Sequence, residues 1–497
     1  MSEAVILDGH SLDPAAVARV AAGAPVRLAD EARAAMAESA AGYPTQPSVL
    51  RLKRKFLVGG TGGTGEELIR SFILGHCAGV GEPLPPGQVR ALMACRANVL
   101  ASGHSGVRPE LVDALLAMVN AGVIPVVPSQ GSVGAAGDLA PLAHVARVLC
   151  GFGGRVSGPE GTGASPLPAF QPTEKEALSL INGATLTSAL GAIAVHRARR
   201  VLDAAIDACA LTLAVSRADG RLLSDRLLAA RGHAGARTVA ARIRACLGPE
   251  GVVSRSPDAF SLRAAPAVLG SALDALDWVE GTVARELNGA CDNPLWFPEE
   301  GVVEGGNFHG APVALAMDTL KIALAQVATL SERRTFRLTA ASLTRDLPSF
   351  LVEGTGLNSG FMLAQYTAAS LASEIKGLAH PASVDTIPTV QHHEDHVSMG
   401  PIAARHPLDV LECVADIVGI ELLLAAQGLD WRLRGEGVVD GARTRGKPEA
   451  FAPGIMAIHA RVREVVSFWH DDQILHPALA AVGGLVRRGA GEAPTAW

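Results

Sequence analysis

The segment TLTSALGAIAVHRARRVLDAAIDACALTLAV, residues 185–215, decides the fold class. Its apolar residues recur at helical spacing, and the ALGAIAV portion is apolar nearly all round, which predicts a long helix buried in the core of a bundle. Residues 311–334 and 362–379 show the same long helical periods. We therefore predict a mainly α fold built on a long helical bundle.

The first part of the chain predicts a mixture of strands and helices. Residues 4–21 indicate a short strand, a turn and a helix, and residues 86–125 indicate two amphipathic helices. A segment rich in Gly, Pro and Ser at 151–173 is predicted to be a surface loop. We place a domain boundary at its end, which gives a mixed N-terminal domain at 1–173 and a central bundle with a C-terminal helical layer at 174–497.

The composition excludes several classes of partner. The 497 residues are 48% hydrophobic and 19% charged, with a net charge of −6, which leaves no electrostatic footprint for nucleic acid or an anionic membrane. The longest uncharged apolar runs fall short of the roughly 20 residues that span a bilayer, and no signal-peptide pattern is visible. Seven scattered cysteines without a CxxC pair indicate free thiols. We expect a cytoplasmic protein with neither nucleic acid nor a membrane as its partner.

Four separated segments carry a resemblance to a known family. They are GSVGAAGDLAPLAH (131–144), CDNP followed by GGNFHGAPVA (291–294 and 305–314), TLSERR (329–334) and GLAHPASVDTIPTVQHHEDHVSMGP (377–401). In order and spacing they resemble the histidine and aromatic amino-acid ammonia-lyases. The resemblance implies a long helical bundle of the histidine ammonia-lyase (fumarase/aspartase) type. It also implies a homotetramer whose active sites draw on more than one chain.

The first of these segments departs from the family at one atom. In those enzymes an Ala-Ser-Gly turn cyclises and loses two waters, which gives an electrophilic methylidene-imidazolone. The second dehydration removes the serine hydroxyl, and the corresponding residues Ala135, Ala136 and Gly137 contain no such oxygen. The resemblance therefore implies a degenerate turn without the prosthetic group, and we expect no other cofactor.

The tyrosines of the family are also replaced. The Tyr-Gly-x-Asn-Thr-Gly-Phe-Gly segment that supplies a catalytic tyrosine is missing, and Tyr43 stands at roughly that distance before His76. Phe260 occupies the place of a second tyrosine. We take Tyr43 as the first candidate for the catalytic base, although a phenol needs cationic neighbours to ionise near neutrality. The basic residues that are candidates for this are Arg51, Lys53, Arg54 and Lys55.

Four residues at matching positions are implied to bind substrate. Arg263 matches a carboxylate-binding arginine, whose guanidinium grips a carboxylate with two charge-assisted hydrogen bonds, and Asn182 matches an asparagine that holds the same end. His76 and Glu394 match the pair that contacts the imidazole ring in histidine lyases. Glu394 is also a candidate base. The alternative for each is a structural role, such as a core histidine or an ion pair.

Three further residues are weaker candidates. Lys376 falls in a matched segment and is a candidate catalytic residue, while Phe260 and Phe308 offer ring faces to a quaternary ammonium group. Plain core packing is the alternative for both phenylalanines. The run at 392–396, HHEDH, lacks the ligand spacing of a zinc site, so we predict no metal.

The implied site suits a polar ring but lacks the group that activates the amine. Such a site favours a substrate whose leaving group needs no activation. Ergothioneine, a histidine betaine, carries a trimethylammonium group that departs as neutral trimethylamine. The leading prediction is therefore an ergothionase-like carbon–nitrogen lyase, which cleaves ergothioneine to thiourocanate and trimethylamine by β-elimination. Two alternatives stay open: a histidine ammonia-lyase inactivated at Ala136, and a non-catalytic homologue that acts as a binding protein.

Overall fold

The prediction of a mainly helical chain is confirmed. The computed structural model describes residues 3–45, 50–51, 53, 59–60, 63, 65–158, 161–248, 258–344, 346–354, 356–439 and 442–488. Among these residues the α-helices are α1 Pro14–Ala21, α2 Asp30–Gly42, α3 Gly65–His76, α4 Pro86–Ala101, α5 Pro109–Ala121, α6 Leu139–Leu149, α7 Glu174–Ile181, α8 Thr185–Val215, α9 Asp225–Ala229, α10 Ala234–Leu247, α11 Phe260–Arg263, α12 Ala265–Leu287, α13 Ala311–Thr339, α14 Ala341–Thr344, α15 Met362–Leu378, α16 Gly400–Arg434, α17 Pro453–Arg463 and α18 Leu475–Arg488.

The strands are short and form five small sheets in the described part of the chain. They are β1 Val5–Leu7, β2 Val26–Leu28, β3 Val80–Pro83, β4 Ile124–Pro125, β5 Pro128–Gln130, β6 Val156–Gly158, β7 Gly161–Gly163, β8 Leu295–Phe297, β9 Gly301–Val303, β10 Glu436–Val439 and β11 Ala442–Arg445. The β1–β2 pair is parallel, and β4, β6 and β7 form an antiparallel sheet of three strands. The remaining pairs, β3–β5, β8–β9 and β10–β11, are antiparallel.

The long helices pack together as the apolar pattern predicts. Helices α8, α12, α13, α15 and α16 contact one another, and most of the side chains of α8 are buried. A buried ion pair lies among them: the Arg334 guanidinium of α13 donates to Glu421 of α16, with its second nitrogen 2.7 Å from the carboxylate. Thr212 of α8 donates to the same carboxylate at 2.7 Å. Three helices are thereby tied to one buried charge, whose attraction raises the pKa of Arg334 against the effect of burial.

The segment 151–173 contains more structure than the predicted loop. Strands β6 and β7 pair antiparallel there, and Ile124 pairs with Ser157. The loop prediction missed the pairing of β6 with β4, because β4 lies in another part of the sequence. Thr173 then begins α7 with a capping box, in which its hydroxyl accepts from the Glu176 amide at 3.2 Å. The domain boundary at 173/174 stays a prediction, since α1 and α4 pack directly on α8.

One described helix, α13, is long and apolar enough to cross a membrane by length and composition alone. Of its apolar window, 61% is buried inside the fold, which is the pattern of a core helix. The helix also carries exposed apolar side chains at Leu315, Ile322 and Phe336.

All seven cysteines are free thiols. Burial raises the pKa of every one of them, to about 12 for Cys95 and Cys150 and to about 11 for Cys209. The thiolate is the reactive form of cysteine, so these side chains are chemically quiet near neutral pH.

Candidate active site

The degenerate turn is locked against the segment that precedes α8. The Gly183 amide donates to the Ala136 carbonyl at 3.2 Å, and the Asp138 amide donates to the Gly183 carbonyl at 2.8 Å. Gly137 has a φ of +91°, and a Cβ on it would lie 2.1 Å from the Gly183 nitrogen. Only glycine fits at position 137, for both reasons.

Two other motif segments meet the same turn. The Gly134 carbonyl accepts from the Gly310 amide at 3.3 Å and from the Ser398 hydroxyl at 2.8 Å. The Met399 amide donates to the Val133 carbonyl at 2.9 Å. As a result, helices α6, α8, α13 and α16 all begin at or next to this turn. Helix N-termini carry partial positive charge, so the site favours a negatively charged group.

The residues of the turn do not fit a methylidene-imidazolone. Ala136 has a methyl side chain where that group needs a β-oxygen, and its carbonyl is held in an ordinary hydrogen bond to Gly183. Ala135 is buried with Val397 and Met399. The side chains of this turn therefore lack the oxygen that formation of that group requires.

Asp138 is a buried carboxylate that was not among the residues predicted from the sequence. It accepts hydrogen bonds from the Ser132 hydroxyl at 2.9 Å and the Thr187 amide at 2.8 Å. Burial raises the pKa of Asp138 to about 6, against the lowering effect of these hydrogen bonds. The carboxylate fixes the turn to the first turn of α8. Its position directly after the Ala-Ala-Gly turn, in the GDLAP motif, was the signal available in the sequence.

Asn182 is buried, 3% exposed, and points at the CDNP segment. Its amide nitrogen donates to the Asn293 carbonyl at 3.2 Å, whereas its side-chain oxygen has no hydrogen-bond partner. The Lys53 ammonium donates to the same Asn293 carbonyl at 3.3 Å. Lys53 therefore lies in the candidate site, although the sequence suggested it only as a neighbour of Tyr43. The signal was a basic residue in the region where the family's tyrosine motif is missing.

The neighbouring Asp292 anchors a buried charge cluster. Its carboxylate accepts from the Ser179 hydroxyl at 2.8 Å and lies 3.4 Å from the Lys175 ammonium and 3.6 Å from Arg96. Burial alone would raise the pKa of Asp292, but the two cations hold it below its ordinary value. The cluster is therefore charged, and it fixes the CDNP segment beside α4 and α7.

Tyr43 lies at this cluster, but its electrostatics oppose the predicted role. Its ring packs on Gly106, and the Lys175 ammonium lies 5.4 Å from the ring centroid. Burial raises the pKa of Tyr43 well above 10, and Asp292 and Glu304 raise it further. A phenolate base needs the opposite shift. The role of Tyr43 as base stays a prediction, without support from this environment.

Arg54 and Lys55, which were expected to assist Tyr43, lie outside the described residues. Arg51 is described and forms an ion pair with Glu174 at 3.2 Å.

His76 ends α3 and is half-buried. Its Nδ1 lies 2.7 Å from the Phe72 carbonyl oxygen. Because a carbonyl only accepts, Nδ1 carries the hydrogen in this arrangement. The contact orients the imidazole at the end of the helix, and its predicted ring-binding role is untested.

Glu394 is half-buried in a loop with unusual backbone angles. Its carboxylate accepts from the Thr389 hydroxyl, and the Thr389 amide donates to the Glu394 carbonyl at 3.0 Å. Between them Val390, Gln391 and His392 have φ values of +47°, +53° and +67°. Three consecutive left-handed residues are costly, and such strain concentrates at functional sites. In the described part of the chain, no group of three or more His, Cys, Asp or Glu residues could hold a metal ion.

The remaining candidates lie at the surface of the single chain. Phe260 is 76% exposed, with the Arg263 guanidinium 5.7 Å from its ring centroid, and Arg263 is itself exposed. Lys376 is exposed on α15, and Phe308 is partly buried. The structure thus gathers the turn, Asn182 and the segment that begins α16, while it leaves Arg263, Phe260 and Lys376 facing outward.

Comparisons with known proteins agree with this architecture. The sequence model of the family described as "Aromatic amino acid lyase" matches residues 62–464. Histidine ammonia-lyase of Caldanaerobacter subterraneus subsp. tengcongensis is 44% identical over 85% of this chain and 83% of its own length. The crystal structure of histidine ammonia-lyase from Trypanosoma cruzi superposes with a TM-score of 0.87 at 38% identity, covering 98% of this chain and 94% of that one.

These findings overturn the leading prediction. The ergothionase from Treponema denticola has the same fold, with a TM-score of 0.83 over 98% of this chain and 99% of that one, but it is only 25% identical. The histidine ammonia-lyases are far more similar, so the prediction of ergothionase activity was wrong. It gave the single change at position 136 more weight than the rest of the sequence. By fold, site and sequence, the chain belongs to the aromatic amino acid lyase family.

Proposed function

We propose that this protein is a histidine ammonia-lyase homologue that binds L-histidine and whose deamination step is blocked at Ala136. The observation that carries the proposal is the 44% identity to a histidine ammonia-lyase over 85% of the chain. The presence of His76, Asn182, Arg263 and Glu394 at positions that match the family's substrate-binding residues supports it.

The site has chemistry suited to an amino acid with a polar ring. The helix N-termini around the turn favour a carboxylate, and Asn182 offers a buried hydrogen-bond acceptor. His76, whose Nδ1 hydrogen is directed at the Phe72 carbonyl, and Glu394 both offer acceptors to the N–H groups of a protonated imidazole ring. Without an electrophile at position 136 the amino group of a bound histidine is not activated, and ammonium is a poor leaving group.

The decisive test is Ala136→Ser. The variant is expected to gain a near-UV absorbance band and to convert L-histidine to urocanate, while the unchanged protein binds L-histidine in calorimetry and forms no urocanate. Ala135→Ser is the matched control, because it adds the same hydroxyl one residue away. Urocanate formation by the unchanged protein would show that position 136 does not block the reaction. Failure of L-histidine to bind either protein would remove the histidine assignment.

A non-catalytic binding protein is the second candidate, favoured by the ordinary Ala136–Gly183 hydrogen bond in the turn. It predicts that Ala136→Ser binds L-histidine and stays inactive, because other catalytic groups have also been lost. The missing tyrosine segment is the specific reason to retain this candidate.

We further propose a cytoplasmic homotetramer. The exposed Arg263 can complete a site only if it reaches the turn of another chain, and free thiols suit a reducing compartment. Leu315, Ile322 and Phe336 are exposed on α13 at intervals of seven or fourteen residues, a spacing typical of a helix that packs on another helix. Light scattering after gel filtration should give four times the mass of the 51.1 kDa chain. Ile322→Glu should lower that mass, whereas Val80→Glu, at an exposed strand residue, should not.

A further inference from the structure

An ammonium group and a side-chain amide meet at one backbone carbonyl in the candidate site. The Lys53 Nζ lies 3.3 Å from the Asn293 carbonyl oxygen, and the Asn182 Nδ2 lies 3.2 Å from the same oxygen. Asn293 follows Asp292, whose carboxylate is held by the buried cluster. The two side chains are therefore neighbours on a rigid support.

The short helical turn that carries Lys53 is itself anchored. Leu50 is fully buried, and Arg51 forms an ion pair with Glu174 at the start of α7. Both contacts precede the lysine in the chain, and they anchor the residues that lead to it.

The Lys53 ammonium is half-buried and has no carboxylate within ion-pair distance among the described residues. Burial lowers the pKa of Lys53, and the more distant Glu304 and Asp292 only partly oppose this. An ammonium has three donors, and the Asn293 carbonyl takes one. Within the described part of the chain the other two donors have no partner, so they and the positive charge suit an anion.

Asn182, in contrast, offers a hydrogen-bond acceptor. Its side-chain oxygen is buried and has no hydrogen-bond partner, and a buried acceptor without a donor is destabilising. The orientation of the amide follows from its contact, because a flipped amide would place its oxygen against the Asn293 carbonyl oxygen. The site therefore lacks a donor at this atom.

We infer that Lys53 and Asn182 form a clamp for the head group of an α-amino acid, in which Lys53 binds the carboxylate and the Asn182 oxygen accepts from the ammonium. A zwitterion supplies the anion and the donor at the spacing of one carbon atom. Arg263 faces outward on the single chain, so Lys53 is the cation that the chain's own fold brings to Asn182. The inference rests on the proposed function only for which amino acid is bound. The binding of the head group does not depend on it.

The experiment combines variants with ligands that lack one charge. Calorimetry compares L-histidine, histamine, which lacks the carboxylate, and imidazolepropionate, which lacks the ammonium. Lys53→Met should weaken L-histidine and imidazolepropionate at least about tenfold, since a hydrogen bond to a charged group is lost, and leave histamine within about twofold. Lys53→Arg should restore much of the loss. Lys447→Met, at an exposed lysine, is the matched control and should change nothing.

The other outcomes of this experiment either contradict the clamp or show that only the histidine assignment is wrong. An equal loss for histamine would assign Lys53 a structural role, and unchanged binding of L-histidine by Lys53→Met would remove Lys53 from the site. L-Phenylalanine and phenethylamine form a second pair of ligands. If only that pair shows the dependence on Lys53, the clamp stands and the histidine assignment fails. If the protein binds none of these amino acids, the clamp is wrong.

Discussion

Gly183 and Cys291 are in such close contact that a Cβ on Gly183 would lie 2.1 Å from the Cys291 carbonyl oxygen. Gly183 also has a φ of +111°, which side chains rarely adopt. Gly183 is also hydrogen-bonded to the degenerate turn, so this contact links the turn to the CDNP segment. The site is therefore assembled around a point where no side chain fits.

Gly183→Ala should damage the site and the fold together. Overpacking against a backbone carbonyl costs about 1–3 kcal/mol, and the positive φ adds to it. We expect a matching loss in the free energy of unfolding by urea, and loss of L-histidine binding. Gly163→Ala, where the added Cβ meets nothing within 4 Å, should stay within about 0.5 kcal/mol. Equal effects of the two changes would contradict the packing argument.

Asp138 should make stability depend on pH in an unusual direction. Its folded pKa of about 6 lies above the ordinary value of 3.8. Its contribution to stability is therefore fully present below pH 4 and is lost as the pH rises through about 6, by about 3 kcal/mol at most. Other carboxylates act in the opposite sense, so the quantity to measure is the difference in unfolding free energy between the protein and Asp138→Asn. That difference should fall between pH 4 and pH 7, and a constant difference would contradict the raised pKa.

Glu421→Gln should be among the most destabilising single changes in the bundle. It leaves the buried Arg334 guanidinium without its counter-charge, and breaking a buried pair in this way costs about 3–5 kcal/mol. Urea denaturation measures the loss. Asp225→Asn removes one partner of the exposed Arg237–Asp225 pair and should leave the midpoint unchanged. A small effect at Glu421 would mean that the bundle relaxes around the unpaired arginine.

Tyr43 can be titrated alone, because Tyr366 is the only other tyrosine in the chain. In the Tyr366→Phe protein, the absorbance change near 295 nm reports ionisation of Tyr43. Burial, Asp292 and Glu304 should hold its pKa above the ordinary value of 10. Ionisation of Tyr43 at or below pH 10 would instead support its predicted role as the catalytic base. Tyr43→Phe in the same background supplies the blank.

Local patterns predicted the long helices, whereas contacts between residues far apart in the sequence determine the chemistry of the site. The apolar spacing of residues 185–215 sufficed for α8, because a helix buried on nearly every side shows this in its own sequence. The raised pKa of Tyr43 depends on Asp292, far along the chain, and no local pattern carries that distance.

The role of single residues was harder still to predict. Arg263 matched a motif, yet its side chain faces outward on the single chain, and a local motif does not carry that information. Lys53 joined the site only when folding brought it to Asn293. One missing hydroxyl at Ala136 suggested a change of substrate, but identity over the whole chain outweighed it.

Because burial raises the pKa of the native thiols, a cysteine introduced at the surface could be labelled selectively. With all seven native sulfurs protonated near neutrality, a maleimide or a fluorinated alkylating tag finds little background to react with. Ala136→Cys would then introduce one addressable sulfur at the partly exposed centre of the turn, without removing any functional side chain. A reporter attached there would sense occupancy of the site directly, so ligands could be screened by binding, without an assay of turnover.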